Sequence, residues 1–309
     1  MVARAQVSGA VRRRHAYMSS SSTAHATPRL LLGGGSRPSP AARAPARARA
    51  LEHGLCSTAG LHRRPWLARL RRALAEDSFV LHFQPIVRVS DRRLSHQEAL
   101  LRLADEPNGR LVAPGSFLPA AERYGLIREI DRMVLARVVE LLASQPAAHR
   151  RVAVNVSALS ITDPGMLAHV AHQLERRRVD PSRLLVEITE TAAISDMSSA
   201  RRFCAGILAL GCELALDDFG AGFGSFQYLK QLPFSYLKID GDFIRRLPVS
   251  RTDQLLVNAL AGIARGMGAR TVAEFVGDES TLELLGALGV DYAQGFAVGR
   301  PQPSLALAA

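Results

Sequence analysis

Cysteine is scarce in this chain: three in 309 residues, at Cys56, Cys204 and Cys212. They form no CxxC and no Cys/His ligand pattern, which excludes both a zinc site and a disulfide framework as the organising principle. Cys204 and Cys212 read as buried, inert thiols, and a reducing, cytoplasmic compartment fits them. No apolar run approaches the roughly 18 residues needed to cross a bilayer. The start also lacks the continuous apolar core of a signal peptide, so no membrane span is expected. No histidine pairs with an acid in metalloprotease fashion, and Gly220, Gly222 and Gly224 lack the Lys-Ser/Thr ending of a phosphate-binding P-loop. Acids are nearly missing from the first quarter. Residues 1–74 hold 14 arginines against the single acid Glu52, which accounts for +13 of charge in a chain whose total is +11. The remainder is close to neutral at −2. The basic character belongs to a tail and says little about the partners of the folded body. No specific nucleic-acid binding is expected.

Residues 1–63 are rich in Arg, Ala, Ser, Gly and Pro, include Gly33-Gly34-Gly35-Ser36-Arg37-Pro38, and show no periodicity. They are expected to be a disordered tail. An Arg- and Ser-rich start of this kind also resembles an organelle transit peptide, against which the body argues. Order is expected from residue 64, where Trp66, Leu67, Leu70 and Leu74 have helical spacing over a linker helix at 64–78. Beyond it, short β-like runs alternate with longer amphipathic segments. Strands are predicted at 80–86, 95–103, 151–156, 184–188, 213–216, 236–239, 270–273 and 292–294. Helices are predicted at 128–144, 166–177, 198–210, 252–267 and 279–288. Eight such alternations in one domain suggest a (β/α)8 barrel, with an open doubly wound sheet as the competitor.

What the sequence does have is an acid or amide just past most of these apolar runs. Strand two carries Glu98, with Leu100 and Arg102 close by. The later strand ends give Asn155, Glu187 with Glu190, Asp217-Asp218, Lys238 with Asp240, Glu274 and Gln294. Carboxylates are seldom buried without a partner or a metal. In a (β/α)8 barrel all these ends converge on the functional face. Oxygen donors without His or Cys suit a hard cation, Mg²⁺ or Mn²⁺ rather than Zn²⁺. The six side chains of Glu98, Asn155, Glu187, Asp217, Asp218 and Glu274 exceed what one magnesium takes and suit two cations about 3.5–4 Å apart, the geometry of phosphoryl displacement. Asp217 or Asp218 would bridge them. Lys238 is expected as an exposed strand-end cation facing the acids, holding water or offsetting charge on the leaving oxygen; a plain ion pair is its simpler reading.

At these residues the chain resembles the EAL domain family of bacterial cyclic di-GMP phosphodiesterases. The resemblance is carried by Glu98-Ala99-Leu100-Leu101-Arg102, Phe83-Gln84-Pro85-Ile86, Pro114-Gly115-Ser116-Phe117, Asn155-Val156-Ser157 and Glu187-Ile188-Thr189-Glu190. It continues through the block from Asp217 to Gly222, Lys238-Ile239-Asp240, Val272-Ala273-Glu274 and Gln294-Gly295-Phe296. The resemblance implies a catalytic domain over residues 79–303, with a barrel whose first strand is antiparallel to the others. It implies hydrolysis of cyclic di-GMP to linear pGpG with two Mg²⁺ or Mn²⁺ ions. Glu98, Asn155, Glu187 and Asp217 would bind one ion, and Asp217, Asp218 and Glu274 the other. Lys238 and Gln294 would position water. Gln84, Leu100, Arg102 and Asp240 would serve the substrate. Glu190 would anchor the loop after strand five, through which a homodimer is expected. The chain departs from the family pattern at Ala221, where a Thr is usual, and at Gly277, where a second Glu is often found. Gly277 bears on the support of Glu274. The usual diguanylate cyclase partner domain is not present, so the chain reads as a remnant of a longer architecture. A weakly catalytic cyclic di-GMP receptor or interaction module is the alternative.

Overall fold

The structure, a computed structural model, describes residues 64–105, 109–145, 150–220 and 229–305. The expectations for the tail at 1–63, and for Ala221, Gly222 and Gly224 after strand five, lie outside the described residues. Helix α1 (Arg64–Ala75) opens the described chain and presses Leu70 and Ala73 fully into the body. Strands β1 (Phe79–Arg88) and β2 (Leu94–Asp105) then form an antiparallel hairpin in which Gln84 lies opposite Glu98. A short strand β3 (Arg110–Val112) folds back on the far end of β2. Sequence patterning does not reveal it, because three half-exposed residues carry no periodicity.

Helices α2 (Leu118–Arg123) and α3 (Ile127–Ser144) lead to β4 (Val152–Asn155). The chain continues through α4 (Ala158–Ile161), α5 (Pro164–Arg177), β5 (Leu184–Thr189), α6 (Glu190–Ser195) and α7 (Met197–Ala209) to β6 (Glu213–Phe219). It ends with β7 (Tyr236–Ile239), α8 (Gly241–Arg245), α9 (Arg251–Gly266), β8 (Arg270–Ala273), α10 (Glu279–Ala287) and β9 (Tyr292–Gln294). From α4 onward the helices start where an Asp, Ser or Thr accepts from one of the first free amides. Asp163 takes the Gly165 amide, Asp196 that of Ser199 and Asp278 that of Thr281.

The strand order β1-β9-β8-β7-β6-β5-β4-β2, with β1 also paired to β2, closes an eight-stranded barrel; β3 hangs outside it on β2. All neighbours from β2 round to β9 are parallel, and β1 is antiparallel to both β2 and β9. The barrel and its reversed first strand are therefore both present, and the open-sheet competitor is not.

Two cores fill the structure. A large one lies between the strands and the helices. The smaller one occupies the barrel axis and consists of Ile86, Ala153, Leu185, Ala215, Tyr236, Val272 and Tyr292. Buried His96 packs at a tilt against Tyr236 and edge-on against Tyr292 and completes this layer from β2. Below it, Arg151 and Arg270 share Glu213 and flank the Tyr236 ring.

Candidate active site

The inner layer fixes the site. Side chains alternate along a strand, so the residue two positions on points into the same space one level higher. Two residues beyond Ala153, Leu185, Ala215, Tyr236, Val272 and Tyr292 stand Asn155, Glu187, Asp217, Lys238, Glu274 and Gln294. Two beyond His96 stands Glu98, and on the reversed β1 the corresponding step from Ile86 runs backwards to Gln84. All eight strands thus contribute one polar side chain to a single layer, stacked on an apolar plug at the C-terminal end of the parallel strands.

This stacking corrects the expectation of an exposed lysine. Lys238 is 1% exposed and lies at the centre of the layer. Its Nζ is 2.9 Å from Glu187 Oε2, 2.9 Å from Glu274 Oε1, 3.0 Å from Asp217 Oδ1 and 3.6 Å from Glu98 Oε2. Burial pulls the Lys238 ammonium down, but Asp217, Glu187, Glu274 and Glu98 together outweigh it and hold the ammonium well above its usual value. Glu98 is pinned by two amides: Asn155 Nδ2 donates to one oxygen and Gln294 Nε2 to the other, each at 2.6 Å. Gln294 also donates to Gln84 Oε1 at 3.2 Å, and Gln84 in turn donates to the Gly299 carbonyl.

Asp218 belongs to the site for a different reason. As the neighbour of Asp217 it would normally face away from the barrel axis. The β6–β7 register shifts between Leu216 and Phe219, and Asp218 takes a left-handed φ of 54°. Oxygens of Asp217, Asp218 and Glu274 consequently lie within 4.8 Å of one another. Burial first, and the neighbouring carboxylates second, push Asp218 up to about 6 and Glu274 up to about 8, with Lys238 opposing. Burial likewise raises Glu187 and Asp217.

Four carboxylates surround one ammonium and Asp218 adds a fifth, so the layer carries surplus negative charge once these groups are ionised. Two buried oxygens, Glu187 Oε1 and Gln294 Oε1, have no hydrogen-bond partner. An all-oxygen donor set, surplus negative charge and unsatisfied buried oxygens fit a hard divalent cation.

Above the acids opens a cavity of about 690 Å³. Gln84, Leu100 and Arg102 line it together with Glu98, Asp217, Asp218, Glu274 and Gln294. Sequence reasoning missed His82, Phe275 and Arg300 in this lining, and gave Phe296 no role. His82 was findable, since it stands two residues from Gln84 on the same face of β1. Asp240 is not part of the lining; its carboxylate accepts from the Asp242 amide and caps α8. Glu190, at the start of α6, accepts from the Gly220 amide at 2.9 Å and so ties the end of β6 to its neighbour. Gly295 must be glycine: a Cβ there would sit 2.1 Å from the Val276 carbonyl oxygen.

The EAL domain family matches residues 67–301, and the chain belongs to it. The chain is 38% identical over 242 residues to the cyclic di-GMP phosphodiesterase PdeB of Shewanella oneidensis, covering 77% of this chain and 28% of that protein. It is 39% identical over 238 residues to MucR of Pseudomonas aeruginosa, a bifunctional diguanylate cyclase and cyclic di-GMP phosphodiesterase, covering 76% of this chain and 35% of MucR. The chain therefore spans about a third of the length of these curated relatives. A solved structure of the MucR phosphodiesterase in complex with c-di-GMP superimposes with a TM-score of 0.73 at 37% identity, covering 78% of this chain and 98% of that one.

Proposed function

We propose that this chain hydrolyses cyclic di-GMP to linear pGpG at a two-cation site. The observation that carries the reading is the polar layer: a buried lysine ringed by Glu98, Glu187, Asp217 and Glu274 at the floor of an open cavity. Glu98, Asn155, Glu187 and Asp217 would hold one Mg²⁺ or Mn²⁺, and Asp217, Asp218 and Glu274 the other. When bound, such ions polarise a phosphoryl oxygen and lower the pKa of a coordinated water. The ammonium of Lys238 and the carboxamide of Gln294 orient the attacking water and offset negative charge as the P–O bond breaks. Gln84, Leu100 and Arg102 position the dinucleotide, with Arg102 toward phosphate. Glu190 holds the segment that follows β6.

Residues 79–303 form the catalytic domain in this reading, and α1 is the linker helix that leads into it. Buried free thiols at Cys204 and Cys212 support a cytoplasmic setting. Among the described residues no helix is long and apolar enough to cross a membrane. A homodimer through the segment that follows β6 belongs to this reading; the outward face of α9, where Leu255, Leu256, Ile263 and the following Met267 are exposed large apolar side chains, offers a further surface for it.

The test is turnover of cyclic di-GMP by the purified chain with Mg²⁺ or Mn²⁺, followed by chromatography. Glu98→Ala is expected to lose more than about 100-fold in rate, beyond the 10–100-fold typical of groups that only orient a ligand. Absence of pGpG with either metal would overturn the reading, and undiminished turnover by Glu98→Ala would overturn the assignment of the cation site.

A further inference from the structure

One end of the cavity is furnished differently from its floor. Phe275, at a left-handed φ of 55°, and Phe296 are exposed and line it together with Val276, Gly277 and Gly295. The guanidinium groups of Arg245 and Arg300 lie 4.4 and 4.1 Å over the two ring centroids. The backbone here is held in place: the Val276 amide donates to the Gln294 carbonyl, and the Val276 carbonyl accepts from the Ala297 amide. Gly277, the next residue, is thereby fixed at the cavity wall.

Aromatic rings meet a nucleobase by its face, and every base has such a face, so contact of this kind does not tell one purine from another. Telling them apart takes groups on the edge. Guanine presents N–H donors at N1 and N2, and adenine has neither, so a side-chain acceptor is what selects guanine. Among the described residues this end of the cavity has none. The acids and amides of the lining, Glu98, Asp217, Asp218, Glu274, Gln84 and Gln294, all lie at the floor. Gly277 has no side chain, and nothing lies within 4 Å of the place its Cβ would take. The adjacent acid, Asp278, is engaged elsewhere: it accepts from the Thr281 amide and the Ser280 hydroxyl, each at 2.8 Å, and caps α10. The donors of Arg300 suit N7, an acceptor that both purines carry, and Arg245 is paired with Asp242.

We propose that this end of the cavity takes adenine as well as guanine, so that the mixed-purine cyclic dinucleotide 3′,3′-cyclic GMP-AMP is a second substrate of the same site. The inference rests on the function proposed above. It makes Gly277 the specificity-determining position, through the acceptor it does not carry. A site that hydrogen-bonds a substrate group rejects an analogue lacking it by about 10⁴-fold or more, whereas an apolar pocket separates similar pairs by about 100-fold.

The experiment gives the full chain cyclic di-GMP or 3′,3′-cyclic GMP-AMP with Mn²⁺ and separates the linear products by chromatography. For the mixed dinucleotide, kcat/KM is expected within about 100-fold of that for cyclic di-GMP. Gly277→Glu and Gly277→Gln place an acceptor in the open space. They are expected to disfavour adenine at this end, either by lowering the relative rate on the mixed dinucleotide about tenfold or by shifting the ratio of its two products, pGpA and pApG. Gly277→Leu adds bulk without an acceptor and is expected to change both substrates equally and leave the product ratio where it was. Turnover of cyclic di-GMP by each variant shows that it has folded. A gap beyond about 100-fold in a parent active on cyclic di-GMP would overturn this proposal alone. So would rate and product ratios that stay unchanged in both the Glu and Gln variants, or the same change in the Leu variant. A parent that cleaves neither dinucleotide would overturn the proposed function and this proposal with it.

Discussion

Lys238 Nζ lies within 3.0 Å of three carboxylates while the side chain is 1% exposed. Removing one partner of a buried charge cluster leaves the others uncompensated, which costs about 3–5 kcal/mol. Lys238→Met is therefore expected to lose stability on that scale in chelator, read from urea denaturation, and to regain part of it when Mg²⁺ is added. If Lys238 positions the attacking water as proposed, the variant's turnover should be lost under both conditions, because the cation can replace the charge but not that contact. At this scale the sequence was informative about chemistry and silent about burial. Acids after apolar runs marked Glu187, Asp217 and Glu274, and Glu98 stood out as an acid within strand two. Nothing local told whether Lys238 faced solvent, since that depends on which face of β7 the barrel encloses. Phe275 gave no signal either, because a left-handed φ at a non-glycine residue leaves no mark in the sequence.

Helix α9 carries two faces with opposite surroundings. Val257, Leu260, Ala261 and Ala264 are buried against the barrel, while Leu255 and Ile263 are exposed and Gly262 and Gly266 have open space above them. If this outer face meets a second copy, Ile263→Glu is expected to yield monomers in multi-angle light scattering with the melting midpoint nearly unchanged, since an exposed position tolerates charge within about 0.5 kcal/mol. A dimer that survives the substitution would remove α9 from the interface. Elements of this kind were the most legible part of the chain. The predicted ends of β7, β8 and β9 coincide with the observed ones, because short apolar runs there are bounded by polar or turn residues. β6 runs three residues past its predicted end, through Asp217 and Asp218 to Phe219, because pairing with β7 continues beyond the apolar run. The reversal of β1 was available only from family resemblance; the run Phe79–Arg88 reads the same in either direction.

For the molecule as a whole, the polar layer sets how stability responds to pH. With metal chelated, Asp218 at about 6 and Glu274 at about 8 are raised by burial above ordinary carboxylates, as are Glu187 and Asp217. The folded state then holds protons that the unfolded chain has released. Its stability is full below the ordinary carboxylate range and falls as pH rises through about 6 to 8. Cation binding needs the deprotonated groups, so the gain from Mg²⁺ should grow over the same interval and reach about 2.7 kcal/mol at a hundredfold excess over Kd. Thermal midpoints across this range, with EDTA and with Mg²⁺, should diverge as pH rises; parallel curves would contradict a cation site in the layer. The way the barrel closes has a consequence of another kind. β1 is seated between β2 and β9, and the bond from Gln294 to Gln84 spans 210 positions of sequence. During synthesis, the ring cannot shut until β9 has left the ribosome. Until then the edges of β1 and β8 stay open to wrong partners. The same final pairing brings Gln294 to Glu98, so the nascent domain passes from an incomplete polar layer to a whole one in a single step.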